Sequence, residues 1–171
     1  MGRLHGARRL PGGGVRIRLS TGERDALASL PPQLLPLLAG EEDFVTPAGH
    51  VQDRLFPPAY DDALAEMEYR ELTGSSLSGD RVAAVETFAK TLEAGSTTAV
   101  GWAIDLSPDE AHAWLSAAND ARLVLGLVCG VTDEAVWDTG PDPDDPASVM
   151  LFYLGWLQEE LLEVLMYALE G

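Results

Sequence analysis

The chain has 171 residues, with 28 acidic against 11 basic side chains, a net charge of −17, 46% hydrophobic residues and one cysteine. That length suits one domain with a real core, and the apolar fraction is too high for a disordered chain. A lone Cys excludes a disulfide scaffold and every metal site built from several thiolates.

Residues 1–18 hold Arg3, Arg8, Arg9, Arg16 and Arg18 and no acid, so residues 19–171 set 28 acids against six bases, a net −22. Pro11-Gly12-Gly13-Gly14 gives the backbone little preferred conformation. Residues 1–14 are therefore expected as a flexible basic arm ahead of a single helical domain, residues 15–171. The arm has the charge of a secretory signal and lacks its apolar stretch, and the longest uncharged apolar run, Ala147 to Leu157, is too short to span a bilayer. A cytoplasmic protein with no membrane association is the expectation, and a single free thiol suits a reducing compartment.

Val15 to Leu19 alternates apolar and charged residues with period 2, the pattern of a half-buried strand. Ser20 with Glu23 three residues on is a capping box, so a helix is expected from Gly22 to Leu30, then a second over Gln33 to Ala39 closed by Gly40. Residues 41–59, rich in Pro and Gly, read as a long surface loop anchored by Phe44, Val51, Leu55 and Phe56. A helix is expected from Tyr60 to Thr73, with Asp61 and Asp62 at its positive end and Gly74 as its stop. The next is expected over Asp80 to Ala94, with Val82, Val85, Ala89 and Leu92 on one face.

Thr97 to Leu106 turns β-branched and aromatic, which predicts a second strand pairing with Val15 to Leu19 in a two-stranded ribbon. Ser107-Pro108-Asp109-Glu110 combines a capping Ser, a first-turn Pro and a Glu three after the cap, opening a helix to Cys129 with Gly130 as its stop. Asp133 to Trp137 is expected as a short helical turn, and Asp138 to Pro146 as a solvated loop. Ala147 to Leu169 is the last helix, apolar nearly all round at its start, which places it at the centre of a bundle and leaves apolar surface consistent with a homodimer. The fold class is thus mainly α, about six helices with a small two-stranded β-ribbon.

Chemistry leaves little trace. There is no HExxH, and none of His5, His50 and His112 has a Glu three residues before it, so no metal site is expected. Cys129 ends an apolar helix with no cation near in sequence and reads as a structural thiol. Nucleophile elbows, P-loops and dinucleotide fingerprints do not occur, so no cofactor is expected and the chain reads as non-enzymatic. The alternative of an uncharacterised enzyme rests on side chains distant in sequence that converge in the fold. Arg3, Arg8, Arg9, Arg16 and Arg18 on a flexible segment form the candidate contact with nucleic acid phosphates, opposed by the repulsion of the acidic body. That body suits a basic protein surface better than bare DNA.

The segments Arg54 to Asp62 (RLFPPAYDD), Glu68 to Thr73 (EYRELT), Asn119 to Gly126 (NDARLVLG) and Trp156 to Glu159 (WLQE) stand in this order along the chain. Together they resemble the actinobacterial domain-of-unknown-function family encoded beside the ClpS adaptor, which includes the oxidative-stress transcription regulator AosR; the likeness runs from about Val15 to Leu169. The resemblance implies a transcription-associated regulator that contacts a sigma factor or RNA polymerase, with DNA as a further partner. It also leaves open an adaptor linked to Clp proteolysis. The CxxxC redox pair of that regulator has no counterpart here, since the arm contains no Cys. Among the matched polar residues, Arg54, Arg70, Asn119, Asp120 and Arg122 are expected to form a polar network or a partner groove, with Arg70 or Arg54 paired to Asp120 across helices.

Overall fold

The computed structural model describes residues 5–57, 62–131 and 140–170, and within its helices the side chains of 66, 70–77 and 167–170 lie outside the description. Strands β1 (Gly6–Arg9) and β2 (Val15–Leu19) open the fold. Helices α1 (Thr21–Ala28) and α2 (Pro31–Leu38), a minute hairpin of β3 (Val45–Thr46) and β4 (Gly49–His50), and α3 (Val51–Leu55) follow. The 32-residue α4 (Ala63–Ala94) leads into β5 (Ser96–Thr98) and β6 (Gly101–Leu106), and the chain continues as α5 (Pro108–Val128) and α6 (Pro146–Glu170). Helices dominate, six among the described residues, but the sheet has four antiparallel strands in the order β1-β2-β6-β5 where a two-stranded ribbon was expected.

The expected pairing of β2 with the second strand is present, Val15 opposite Leu106 and Leu19 opposite Trp102. The additional strands have local causes. Residues 6–9, expected within a flexible arm, pair with β2 because Gly12 and Gly13 adopt positive φ (+90° and +94°) and turn the chain back. That turn is closed by the Leu10 N–H on the Gly14 carbonyl at 2.7 Å. Only glycine enters such conformations at little cost, so the run that suggested disorder is a hairpin turn. The predicted second strand is itself a hairpin, bent at Ala99-Val100 into β5 and β6.

Both capping boxes form. Ser20 accepts from Glu23 N at 3.0 Å and opens α1, and Ser107 accepts from Glu110 N at 3.2 Å while Glu110 accepts from Ser107 N at 2.9 Å to open α5. Gly40 and Gly130 take positive φ just beyond α2 and α5, as expected of helix stops. Gly74 stops nothing: α4 runs unbroken from Asp62, whose side chain caps Leu64 N, to Gly95. A helical Gly costs only about 1 kcal/mol, and the packing of Val85, Phe88 and Leu92, each about 1% exposed or less, outweighs it. The surface loop expected over 41–59 carries β3, β4 and α3. The Asp43 carboxylate accepts from Phe44 N and Gln52 N, and the Gln52 amide donates to Leu37 O and Glu42 O. Of the expected anchors, Val51 and Leu55 are buried, whereas Phe44 is exposed.

Helices cover one face of the sheet. Val15, Ile17 and Leu19 point into them with no exposed surface, together with Trp102 and Leu106. Between α4 and α6 lies α5, whose Ala111, Trp114, Ala117, Ala118 and Ala121 are buried, so α5 and not the apolar last helix is central. Small residues let α4 and α6 approach it closely, and α6 keeps Val149, Leu162 and Met166 exposed. Trp114 anchors the centre: its ring meets Phe88 edge-on at 4.8 Å and stacks on Trp102 at 6.4 Å. Its Nε1–H donates to Thr91 Oγ1 at 2.7 Å, and that hydroxyl donates to Phe88 O at 2.8 Å, so the buried polar pair is satisfied. No helix among the described residues is long and apolar enough to cross a membrane. The expected turn at Asp133 to Trp137 lies outside the described residues.

Candidate functional site

The open face of the sheet collects positive charge on an acidic chain. Alternation that sends Val15, Ile17 and Leu19 inward sends Arg16 and Arg18 outward, and the pairing places Arg8 directly opposite Arg16. Two like charges facing each other across strands destabilise a sheet. Asp105 offsets this from the other side: Arg16 binds it through Nε at 2.6 Å and Nη2 at 2.9 Å, a bidentate fork. Around Arg18 the strands supply small residues, Gly6 and Ala103 on either side and Ser96 beyond. Grooves of about 490 Å³ flank the pair Arg16 and Arg18, one bordered by Arg8, Glu160 and Glu163, the other by Ser96, Thr98 and Asp105.

Hydrogen bonds from Arg16 hold the Asp105 carboxyl below the ordinary carboxylate range against a modest penalty from burial, and the charges of Arg16, Arg8 and Arg18 add to this. A depressed carboxylate stabilises the fold above its unfolded pKa of about 4 and loses that contribution as pH falls through the folded value. Asp105→Asn is therefore expected to melt slightly below the parent at pH 6, with the gap narrowing as pH falls below about 4. A gap that stays constant over thermal melts in that range would rule out an ionic role for the pair.

β1 is held in place by acids from the helices. Ala7 N donates to Glu160 Oε2 at 3.3 Å, while Glu23 contacts His5 Nδ1 at 3.3 Å and accepts the Tyr153 hydroxyl at 2.8 Å. Burial, then the Glu23 contact, pushes the Tyr153 phenol far above its ordinary value, so it serves as a fixed donor. Of the arginines expected to act together, Arg8, Arg16 and Arg18 share the open face; Arg9 alternates away from them on β1, and Arg3 lies outside the described residues.

The second group of candidates is rearranged. Asp120 is buried and ion-paired, but its partner is Arg81 of α4, at 2.6 Å from Nη2 and 3.2 Å from Nε. Arg81 also donates to Leu55 O and lies 4.4 Å over the Phe56 ring, so it fastens α3 to the α4–α5 pair. Arg54, expected to pair with Asp120, is exposed on α3, and the Arg70 side chain lies outside the description. Asn119 is exposed, and Arg122 turns to α6, where it donates to the Gln158 side chain beside Gly155. Asp120 and Arg122 thus form separate structural joints, one to Arg81 of α4 and one to Gln158 of α6. Arg81 carries a legible signal: it precedes Val85, Phe88 and Leu92 by 4, 7 and 11 residues, on the stripe that faces the core. A cation on such a stripe requires a buried acid.

Cys129 sits half-buried at the C-cap of α5, where burial, then the negative charge of Asp145, pushes its thiol up. Less thiolate at neutral pH means slow nucleophilic chemistry. Iodoacetamide is expected to label Cys129 more slowly than free cysteine at pH 7.5, and labelling as fast as the free amino acid would contradict this. No cluster of three or more metal-ligating side chains occurs among the described residues. No curated protein and no solved structure matches the chain. The sequence does match a family model described as a domain of unknown function (DUF2017) over residues 5–165. That match takes in the whole sheet and all but the last turn of α6, and the chain belongs to the DUF2017 family.

Proposed function

We propose that this chain is a non-catalytic regulatory protein of the transcription apparatus, working by contact with a protein partner of the sigma factor or polymerase class. The observation that supports this reading is the arginine-bearing open sheet face on a chain of net charge −17. A cationic patch on an otherwise acidic chain favours one orientation on a partner of mixed charge during encounter. The polar residues that could have formed a reactive cluster, Arg81, Asp120, Arg122 and Gln158, are instead engaged with one another and with the backbone. The resemblance to the family of AosR supplies the transcriptional context, and without the CxxxC pair the regulation does not run through a disulfide.

The test is a tagged pull-down from native lysate, run with and without nuclease and read by mass spectrometry. Sigma factor or polymerase subunits are expected in the bound fraction and are expected to survive nuclease. Their loss on nuclease treatment would move the reading to DNA contact, and recovery of Clp components alone would replace it with the proteolytic adaptor.

A further inference from the structure

We infer that the open face of the β1-β2-β6-β5 sheet is the docking site for an acidic segment of a partner protein, whose carboxylates bind Arg8 and Arg18. The inference rests on the regulatory reading above and names the surface and the chemistry it takes.

Three features point there. First, Arg8, Arg16, Arg18 and Asp105 sum to +2 on this face, leaving −19 on the rest of the chain, so the face is an island of positive charge. Second, the arginines do different work. Arg16 is fixed by both oxygens of Asp105, whereas Arg8 and Arg18 feel that carboxylate only through space and present their planar forks to solvent. The facing Arg8–Arg16 pair costs sheet stability, and an incoming carboxylate relieves that repulsion. Third, the row through Arg18 continues over the small residues Ala103 and Ser96, which leaves a shallow trough on the β6–β5 side into which a peptide backbone can settle, while at Gly6 the Glu160 carboxylate closes the row.

The same face suits nucleic acid poorly. Its outward positions carry no aromatic side chain on which a base could stack. A duplex also extends well beyond the patch at one charge per ~1.7 Å, and would meet Glu160 and Glu163 at the border of the groove. A short acidic segment lying over Ala103 and Ser96 reaches the two available arginines from the side away from Glu160 and Glu163.

The experiment is fluorescence anisotropy of the full chain with a labelled alternating Glu-Ser decapeptide, an alternating Lys-Ser decapeptide and a decathymidylate oligonucleotide, at low and high salt. The Glu-Ser peptide is expected to bind at low salt and dissociate at high salt. Its affinity is expected to fall about tenfold or more in Arg8→Gln/Arg18→Gln, as for loss of charge-assisted contacts, and to be unchanged in Lys90→Gln, a control on the exposed side of α4. Circular dichroism melts of both variants check that the fold is intact. Tighter, arginine-dependent binding of the oligonucleotide would overturn the inference in favour of nucleic acid. A salt-reversible dimer in sedimentation that is lost in the double variant, without peptide binding, would overturn it in favour of a second copy, and no binding of any probe would also reject it. In the pull-down, a transcription partner retained equally by the double variant would overturn the docking site alone. Arginine-dependent peptide binding without any transcription partner would overturn the regulatory reading alone.

Discussion

Asp120→Ala is expected to lower the melting temperature by about 6 to 12 °C. The substitution leaves Arg81 facing the buried end of its own pair, with Asp120 only 2% exposed in the intact protein. Removing one partner of a buried ion pair costs about 3–5 kcal/mol, and the lower end applies because Arg81 keeps a fifth of its surface in water. For a chain of this size each kcal/mol moves the melt by about 2–4 °C. Arg54→Ala, on the exposed side of α3, is expected to shift it by less than about 2 °C, in keeping with the ±0.5 kcal/mol of ordinary surface changes. The double replacement Arg81→Met/Asp120→Leu is expected to recover most of the loss, because the desolvation penalty disappears with the charges. Equal melts for the parent and Asp120→Ala, followed by circular dichroism, would show that the joint between α3, α4 and α5 does not depend on this pair.

Gly95→Ala is expected to destabilise the chain by about 3 kcal/mol, at the upper end of ordinary overpacking. Gly95 has φ −68°, a conformation open to any residue, so the effect is steric. A Cβ there would stand 2.7 Å from Trp102 Nε1 and closer still to the ring carbons beside it. Trp102 is only 4% exposed and stacks against Trp114, so the indole must displace its core neighbours to make room. The same exchange at Gly79, where a Cβ meets nothing within 4 Å in the middle of α4, is expected to stabilise by up to about 1 kcal/mol through helix propensity. Thermal melts of the two variants should therefore move in opposite directions, and tryptophan fluorescence should change only for Gly95→Ala. A melt of Gly95→Ala equal to the parent would mean that the indole has room the structure does not show.

Features decided by neighbours in sequence were legible in it. The capping boxes at Ser20 and Ser107, the alternation of Val15 to Leu19 and the stops at Gly40 and Gly130 depend on interactions within about one turn. Features decided by tertiary contact were not. β1 has no alternating pattern, and only its pairing with β2 shows that Gly12-Gly13 turns rather than frees the chain. Gly74 marked a stop that the packing of Val85, Phe88 and Leu92 overrides, and the stripe that identifies Arg81 lies within the helix expected over Asp80 to Ala94, whose expected face runs through Val82 and Ala89 instead. At the candidate site the arginines were visible as charge. Their division into a pinned Arg16 and a forward Arg8 and Arg18 required the strand register and Asp105, 89 residues away from Arg16.

The tie between β1 and α6 has a temporal side. Ala7 and Glu160 are 153 residues apart, so a ribosome has made nearly the whole domain before the first strand meets the helix that anchors it. Closing a loop of that length is slow, and it waits on the last helix to emerge. Until then β1 is held to the rest of the sheet through its pairing with β2. The hairpin that carries Arg8, Arg16 and Arg18 thus gains its anchor to α6 only near the end of synthesis, although the sheet's four strands are all made by residue 106.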